Sequence, residues 1–461
     1  MWKSKAIELA TAVRDGHVSA AEVVQAHLDR ISEVNPTFNA VTAVLADSAM
    51  AAAAGIDRRR AAGEPLGPLA GVPFTVKENI DVEGVPTTHG VPKFRDNVAT
   101  ADSPSVARLR AADAIPIGHS NMPDMTIGGY TNSQLFGETL NPWPVVRNPG
   151  ASSGGDGSAV ASGMAAIGLG NDSGGSVRVP AYCCGVAGLN PSYGRFPMEH
   201  QIGGNTPMLA SQLFPKDGPI ARSVHDLRAA FEVLAGTDPR DPRAVPAPLD
   251  GPPLPGPVRV AVVADPGGFG VNPIIRAEIE KTAEVLADAG YAVEEADVPR
   301  LTDGLTAYLK MITSEFGLTW PRLRTLLTED SARHMELNMQ RQPSLDLADY
   351  LRLTADRHSI IRDWLLFLSD YPLVLGPVST EPPGDPGDKE LDAEENARIA
   401  LAGRLCTVTT FVGLPAVAVP TRVEDGVPLG VQIIGRPFRE DLCLSAAAAI
   451  EATSGTFTPV G

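Results

Sequence analysis

The most glycine- and serine-rich part of the chain, residues 148–188, carries two clusters whose residue types could do chemistry. The clusters are Ser152-Ser153-Gly154-Gly155 and Ser173-Gly174-Gly175-Ser176. Glycines let backbone N–H groups approach a ligand closely, which serves phosphate binding or oxyanion stabilisation equally well. However, the P-loop lysine, the last glycine of a dinucleotide fingerprint and the G-x-S-x-G elbow are all missing from this sequence. What remains is a serine nucleophile with no histidine nearby in the sequence.

A serine nucleophile needs a base, and Lys77 is the candidate. It ends the apolar run Gly71-Val72-Pro73-Phe74-Thr75-Val76, where a lysine is normally unfavourable. A lysine can serve as a base when desolvation or nearby positive dipoles lower its pKa by roughly 3 units, because the neutral amine is then accessible near pH 7. Taken alone, the segment is also explained by a lysine that leaves the core at the end of a strand.

Four separated segments together resemble the amidase signature family of Ser-cisSer-Lys hydrolases. They are residues 71–80 (GVPFTVKENI), the paired-serine loop at 150–159, residues 168–181 (GLGNDSGGSVRVPA) and residues 184–189 (CGVAGL). Similarity at 109–122, 413–420 and 426–437 extends the resemblance over essentially the whole chain. The resemblance implies a single large α/β domain, with a mixed, mainly parallel central β-sheet covered by helices on both faces.

The same resemblance implies a hydrolase of carboxylic amides with a catalytic triad. Carried over position by position, the base is Lys77, the bridging residue is Ser152 and the nucleophile is Ser176. Neutral Lys77 would accept a proton from Ser152, which would accept one from Ser176, and the relay would later return a proton to the leaving amine. Ser176 would thereby form an acyl-enzyme that water hydrolyses.

Further positions are implied to stabilise the oxyanion, to contact the substrate or to support the site. The oxyanion hole would consist of the backbone N–H groups of Ser173, Gly174, Gly175 and Ser176. The backbone carbonyl of Thr126 would face the catalytic centre. Three residues would brace the loops that carry the serines: Ser153, Asp172 and Arg178.

The chain departs from the family pattern without losing a catalytic atom. Ala151 replaces a usual glycine, and Asp156-Gly157 adds a charge to the first serine loop. Ser173 occupies a variable oxyanion position. The remaining departures are His119, Asn190, Ser192 and Thr410. The sequence gives no role for His119, Asn190 or Thr410.

Alternating apolar runs and helical stretches predict a sheet with helical cover from about residue 69 onward. The parts of the single predicted domain, residues 1–461, are N-terminal helices (1–68), the signature core (69–236), a Pro-rich surface loop (237–257) and the remainder of the sheet (258–461). Ser19 and Glu22 predict a capping box in the first part. By itself, the strand–helix–strand pattern from residue 258 is compatible with a second domain or with the same sheet continuing.

Composition and charge exclude several classes of function. Lys and Arg number 38 against 55 Asp and Glu, a net charge of −17 that would repel nucleic acids and anionic membranes. The eight histidines show no metal-binding spacing, and the four cysteines form neither a disulfide framework nor a CxxC pair. No 18-residue apolar stretch or signal-peptide core occurs. We therefore expect a cytoplasmic enzyme without metal or cofactor, with a small-molecule amide substrate and no nucleic-acid or membrane partner. Because members of the family are often dimers, a homodimer is an open expectation.

Two other functions stay open at this point. One is an ammonia-generating glutaminase component of a tRNA-dependent amidotransferase, although Val179 stands where such proteins usually have a glutamine. The other is a non-catalytic scaffold that keeps the fold. For a hydrolase, ester hydrolysis and acyl transfer share the same acyl-enzyme. The resemblance implies that variable helices at about 300–400 line the acyl pocket, and four side chains there favour an apolar or aromatic acyl group: Tyr308, Met311, Phe316 and Trp320.

Overall fold

The computed structural model describes residues 1–199, 206–384 and 391–458, and its strands and helices alternate along most of the chain. The strands are β1 (Val41–Val44), β2 (Pro73–Lys77), β3 (Ile115–Ser120), β4 (Asn132–Ser133), β5 (Gly137–Glu138), β6 (Ile167–Asp172), β7 (Ala187–Asn190), β8 (Lys216–Ala221), β9 (Arg259–Val262), β10 (Ala292–Glu295), β11 (Leu373–Pro377), β12 (Ala416–Glu424) and β13 (Val427–Gly435). The α-helices are α1 (Ala6–Arg14), α2 (Ala20–Phe38), α3 (Ala46–Ala61), α4 (Pro104–Ala111), α5 (Gly154–Ala161), α6 (Arg178–Cys184), α7 (Leu209–Leu213), α8 (Val224–Leu234), α9 (Pro273–Asp288), α10 (Leu301–Leu323), α11 (Glu329–Arg341), α12 (Leu347–Asp370), α13 (Ala393–Ala402), α14 (Arg404–Val412) and α15 (Glu440–Ser454).

The described part of the chain forms a large mixed sheet of 11 strands, in the order β1-β3-β2-β6-β8-β7-β12-β13-β11-β9-β10. Strands β3, β2 and β6 pair in parallel at one side, and β11, β9 and β10 pair in parallel at the other. The strands between these groups pair antiparallel, as does β1 with β3. The mixed sheet is confirmed, while the predicted mainly parallel pairing holds only within the two groups. One antiparallel pair has a local cause, because the two-residue hairpin between β12 and β13 permits only antiparallel pairing.

Both halves of the chain contribute to this sheet, which makes it one domain. Strand β7 pairs with β12, and β9 pairs with β11, which in turn pairs with β13. The pattern that begins at residue 258 is therefore a continuation of the same sheet and not a second domain. The predicted N-terminal helical part also holds β1, and the described residues 237–257 contain no helix or strand. Within the predicted parts, residues 200–205, 385–390 and 459–461 lie outside the described residues.

Helices cover both faces of the sheet, as predicted. Side chains alternate between the faces of a strand, so in β11 Leu373 and Leu375 join one apolar cluster while Val374 joins another. The first cluster includes side chains from α2, α8, α9 and α15, and the second includes side chains from α10, α12 and α14. The predicted capping box is also present, since Ser19 Oγ accepts the Glu22 N–H at 3.0 Å and the Glu22 carboxylate accepts the Ser19 N–H at 2.8 Å. Among the described helices, none is long and apolar enough to cross a membrane.

Candidate active site

Lys77 ends β2, a strand whose five residues are all buried between β3 and β6. Its Nζ donates to Ser152 Oγ at 2.7 Å and to Asn171 Oδ1 at 2.8 Å. A longer contact of 3.3 Å joins Nζ to the backbone oxygen of Asn171. The carboxyl ends of parallel strands form the edge where α/β sheets bind ligands, and β2 and β6 both end there. The pairing of β2 with β6 therefore brings Lys77 and Asn171 together, and Ser152 reaches Lys77 from the loop before α5.

The protonation of Lys77 is set by its burial. Removal from water lowers the pKa of Lys77 to about 7, against the opposing influence of three carboxylates, those of Asp156, Asp172 and Asp217. The side chain has no measurable exposure. A substantial fraction of Lys77 is consequently a neutral amine near neutral pH, which a proton-accepting role requires.

Ser152 lies in the loop before α5, and the peptide bond between Ala151 and Ser152 is cis. The next residue fixes this loop against the second serine cluster, because the Ser153 N–H donates to the Ser176 carbonyl at 3.1 Å. Ser153 Oγ also donates to the Asn171 carbonyl at 3.3 Å. Glycines in β6 leave room for this approach, since a Cβ on Gly170 would lie 2.5 Å from Ser153 Oγ. The structure thus brings both serine clusters and Lys77 to one place.

The loop from Ser173 to Ser176 follows β6 directly and presents unpaired backbone N–H groups. Within the described ranges, the N–H groups of Ser173, Gly174 and Ser176 have no hydrogen-bond acceptor. The Gly175 N–H, in contrast, donates to Asp172 Oδ1 at 2.7 Å. Gly175 has a φ of +126°, and a Cβ there would lie 3.1 Å from Val179 Cγ2, so the position favours glycine. In this arrangement Gly175 shapes the loop but is not free to donate to an oxyanion, contrary to the prediction for its N–H.

An ion pair between Asp172 and Arg178 supports this loop. The Nε of Arg178 lies 3.0 Å from Asp172 Oδ2, and both side chains are fully buried. Burial alone would raise the pKa of Asp172, but the charge and hydrogen bonds of Arg178 hold that pKa well below its usual range. Arg178 also donates to Gln432 Oε1 at 3.0 Å and to Thr410 Oγ1 at 2.9 Å. These contacts join the loop after β6 to β13 and α14.

The structure also shows the contacts of the residues that depart from the family pattern. Thr410 Oγ1 donates to Asp172 Oδ1 at 3.2 Å, which places Thr410 in the ion-pair network. His119 is buried in β3 with Nδ1 3.6 Å from Glu78 Oε1. Asn190 lies in β7 and donates to the Leu414 carbonyl at 3.2 Å. Thr126 lies in the turn Asp124–Thr126, where it has a φ of +65°.

Sequence reasoning missed Asn171 and the contact of Tyr308 with the loop from Ser173 to Ser176. In the sequence, Asn171 stands out only as part of the glycine-rich segment, and its contact with Lys77 depends on two strands that are distant along the chain. Tyr308, in α10, donates from its hydroxyl to the Ser173 carbonyl at 2.8 Å. Burial raises the pKa of Tyr308 to about 12, so the hydroxyl stays protonated and able to donate. Within the described residues, no group of three or more His, Cys, Asp and Glu side chains is placed to hold a metal ion.

Comparison with known proteins gives the same family throughout. The family model described as Amidase matches residues 22–444. The chain is 42% identical to an indoleacetamide hydrolase of Bradyrhizobium diazoefficiens, over 99% of this chain and 87% of that protein. It is 34% identical to a glutamyl-tRNA(Gln) amidotransferase subunit of Symbiobacterium thermophilum, over 95% of this chain and 94% of that protein. A solved bacterial aryl acylamidase of the amidase signature family superposes with a TM-score of 0.82 at 28% identity, over 98% of this chain and 96% of that one.

The buried lysine and paired serines of the site therefore occur in a chain that matches amidases over nearly its whole length. The match to the indoleacetamide hydrolase is stronger than the match to the amidotransferase protein. The chain belongs to the amidase signature family and is a hydrolase that acts on amides.

Proposed function

We propose that this protein hydrolyses a primary amide of an aryl-substituted acetic acid, of the indole-3-acetamide type, through an acyl-enzyme on Ser176. The observation that carries the mechanism is the 2.7 Å contact between Ser152 Oγ and the fully buried Nζ of Lys77. The substrate class is supported by the 42% identity to the indoleacetamide hydrolase across almost the entire chain. The products are ammonia and the free carboxylic acid.

In the proposed acylation, Ser176 Oγ attacks the amide carbon while its proton moves to Ser152 Oγ and the Ser152 proton moves to Lys77 Nζ. The carbonyl oxygen becomes an oxyanion, for which the unpaired N–H groups of Ser173, Gly174 and Ser176 supply donors. When the C–N bond breaks, the proton returns from Lys77 through Ser152 to the leaving nitrogen. Water then attacks the acyl-enzyme through the same relay and releases the acid.

Aromatic side chains near the loop from Ser173 to Ser176, the proposed nucleophile loop, support an aromatic acyl group. Tyr308 holds the Ser173 carbonyl, and its ring lies 4.9 Å from that of Phe214. Ile127, which follows the turn that contains Thr126, packs against α10 and α11 in an apolar cluster with Phe316 and Trp320. We propose that the partly exposed Thr126, Tyr308, Phe316 and Trp320 contact the acyl group. An aryl ring that displaces water there would gain about 25 cal/mol for each Å² of apolar surface buried.

The first test combines active-site labelling with a substrate panel. A fluorophosphonate should add once to the wild-type protein, as read by intact mass, because such probes react only with an activated serine. We expect Ser176→Ala and Lys77→Met to remove both the adduct and the release of ammonia from indole-3-acetamide, and Ser152→Ala to lower both by at least about 100-fold. The exposed Ser48 offers a matched control, and Ser48→Ala should label and turn over as wild type does.

The same experiment decides against the alternatives. Glutamine hydrolysis that exceeds arylacetamide hydrolysis, together with co-purification of a second protein chain, would favour the amidotransferase function, which the 34% identity supports. An unlabelled but folded wild-type protein would favour the scaffold.

The net charge of −17 supports a small-molecule substrate over nucleic acid. All four cysteines are buried free thiols, which fits the reducing cytoplasm. The homodimer has only the family resemblance behind it, and light scattering would test it.

A further inference from the structure

Two oxygen atoms of Asn171 lie against the amine of Lys77. The side-chain Oδ1 accepts from Nζ at 2.8 Å, and the backbone oxygen of the same residue lies at 3.3 Å. The third neighbour of Nζ is Ser152 Oγ at 2.7 Å. Of these three groups only the hydroxyl can either donate or accept, since carbonyl oxygens have no proton to give.

This difference determines which neighbour the lone pair of the neutral amine faces. A protonated Lys77 has three N–H donors and three acceptors around it. A neutral Lys77 has two N–H donors and one lone pair, and the two oxygens of Asn171 can satisfy only the donors. The lone pair is left for the Ser152 hydroxyl, whose proton it must accept in the reaction. Without Oδ1, one N–H could turn toward Ser152 Oγ and block that transfer.

Asn79 holds the Asn171 amide in the required orientation. Asn171 Nδ2 donates to Asn79 Oδ1 at 3.0 Å, so the NH₂ group faces Asn79 while the oxygen faces Lys77. Asn79 follows β2 in a turn closed by the Ile80 N–H, which donates to the Lys77 carbonyl at 2.8 Å. A flipped amide would set NH₂ against Nζ and oxygen against oxygen, losing both hydrogen bonds.

We propose that Asn171, oriented by Asn79, is a positioning residue that aims the lone pair of neutral Lys77 at Ser152. This inference rests on the proposed function, because it assigns Lys77 the role of base. Asn171 touches no reacting carbon and acts through Lys77. The charged groups that influence Lys77 are Asp156 in α5, Asp172 in β6 and Asp217 in β8.

The test measures the rate constant of fluorophosphonate labelling between about pH 5.5 and pH 9.5. In the pH–rate profile we expect a rising limb, in which the rate increases as Lys77 loses its proton. For Asn171→Asp, a carboxylate beside Nζ stabilises the ammonium, so this limb should move up by at least about one pH unit. At a pH below the limbs of both proteins, the variant should then label about tenfold more slowly than wild type. For Asn171→Leu, the ammonium loses an acceptor, so the limb should move to lower pH while the plateau falls at least about tenfold. Asn190→Leu is the matched control, because Asn190 is buried in β7 of the same sheet and has no contact with Lys77; its limb should not move.

A second variant avoids dependence on the folding of the Asn171 variants. Asn79 is half-buried, and Asn79→Leu should lower the plateau and move the limb in the same direction as Asn171→Leu, by a smaller amount. The double variant should label no more slowly than Asn171→Leu alone, because Asn79 acts only through Asn171. Variants that label slowly at every pH with an unmoved limb would overturn this inference alone. A wild-type protein that does not label would overturn the proposed function and this inference together.

Discussion

Replacing Lys77 with methionine should abolish turnover and yet stabilise the protein at neutral pH. The lysine is fully buried, and burial lowers its pKa to about 7 from an ordinary value of 10.5. Between these two values the unfolded chain carries a proton that the folded chain has released. The free energy of unfolding must therefore rise with pH across this window, and the cost of burying Lys77 is greatest at its acid end.

The magnitude follows from the width of the window. Each pH unit changes the free energy of unfolding by about 1.4 kcal/mol. From about 7 to 10.5 the cost sums to roughly 5 kcal/mol, present in full below pH 7 and lost above pH 10.5. Methionine is unbranched and apolar like the lysine stem, and it removes the proton while keeping most of the packing. The stability gained by Lys77→Met should shrink by roughly 3 kcal/mol between about pH 7 and pH 9.5.

Urea unfolding of both proteins at several pH values measures this difference directly. Groups that do not interact with Lys77 contribute equally to the two proteins and cancel in the comparison. Asp156 and Asp217 do not cancel, because the charge of Lys77 lowers their pKa values. Lys281→Met, on the exposed surface of α9, is the control and should change stability by no more than about 0.5 kcal/mol. A stability difference between wild type and Lys77→Met that stays constant from pH 7 to about pH 9.5 would refute the assignment of a lowered pKa, and with it the proton-accepting role.

Three more predictions concern the rate and the loop that carries Ser176. The rate of amide hydrolysis at low substrate should rise with pH through a limb near pH 7, since only neutral Lys77 accepts a proton; a rate independent of pH from 5.5 to 8.5 would contradict this. Arg178→Met leaves Asp172 charged and buried without its partner. The free energy of unfolding, measured by urea denaturation, should fall by about 3–5 kcal/mol. Gly175→Ala imposes strain at a φ of +126° and should lower kcat/KM at least about tenfold, whereas Gly403→Ala, where φ is negative and space is open, should leave kcat/KM unchanged.

Features of the site that depend only on the residue types in a short run of the chain could be predicted from the sequence. The run from Val72 to Val76 made Lys77 a candidate for desolvation and a lowered pKa, although the same run also fitted a lysine that leaves the core; the structure buries the side chain. Adjacent glycines likewise predicted a loop with accessible N–H groups, and three of the four are unpaired.

Features that depend on which distant groups meet could not be predicted in this way. The Gly175 N–H is used by Asp172 because of the conformation of one turn, which glycine permits but does not specify. The hydrogen bond between Lys77 and Asn171 requires β2 and β6 to be neighbours, and periodicity does not reveal strand order. For the same reason, buried apolar runs indicated strands without indicating that every neighbouring pair from β6 to β11 in the sheet order is antiparallel.

The Asp172–Arg178 pair shows why the signature segment depends on the rest of the chain. The Arg178 side chain is fully buried, and its N–H groups donate hydrogen bonds to Asp172, the Cys406 carbonyl, Thr410 and Gln432. The last three residues belong to α14 and β13, far beyond the signature core. If those partners were absent, two opposite charges would face water beside the loop from Ser173 to Ser176, and an exposed pair of this kind holds its geometry weakly. If Ser176 is the nucleophile, as proposed, the rigidity that it needs is supplied by the C-terminal strands and helices, and the folding of one continuous sheet assembles the site.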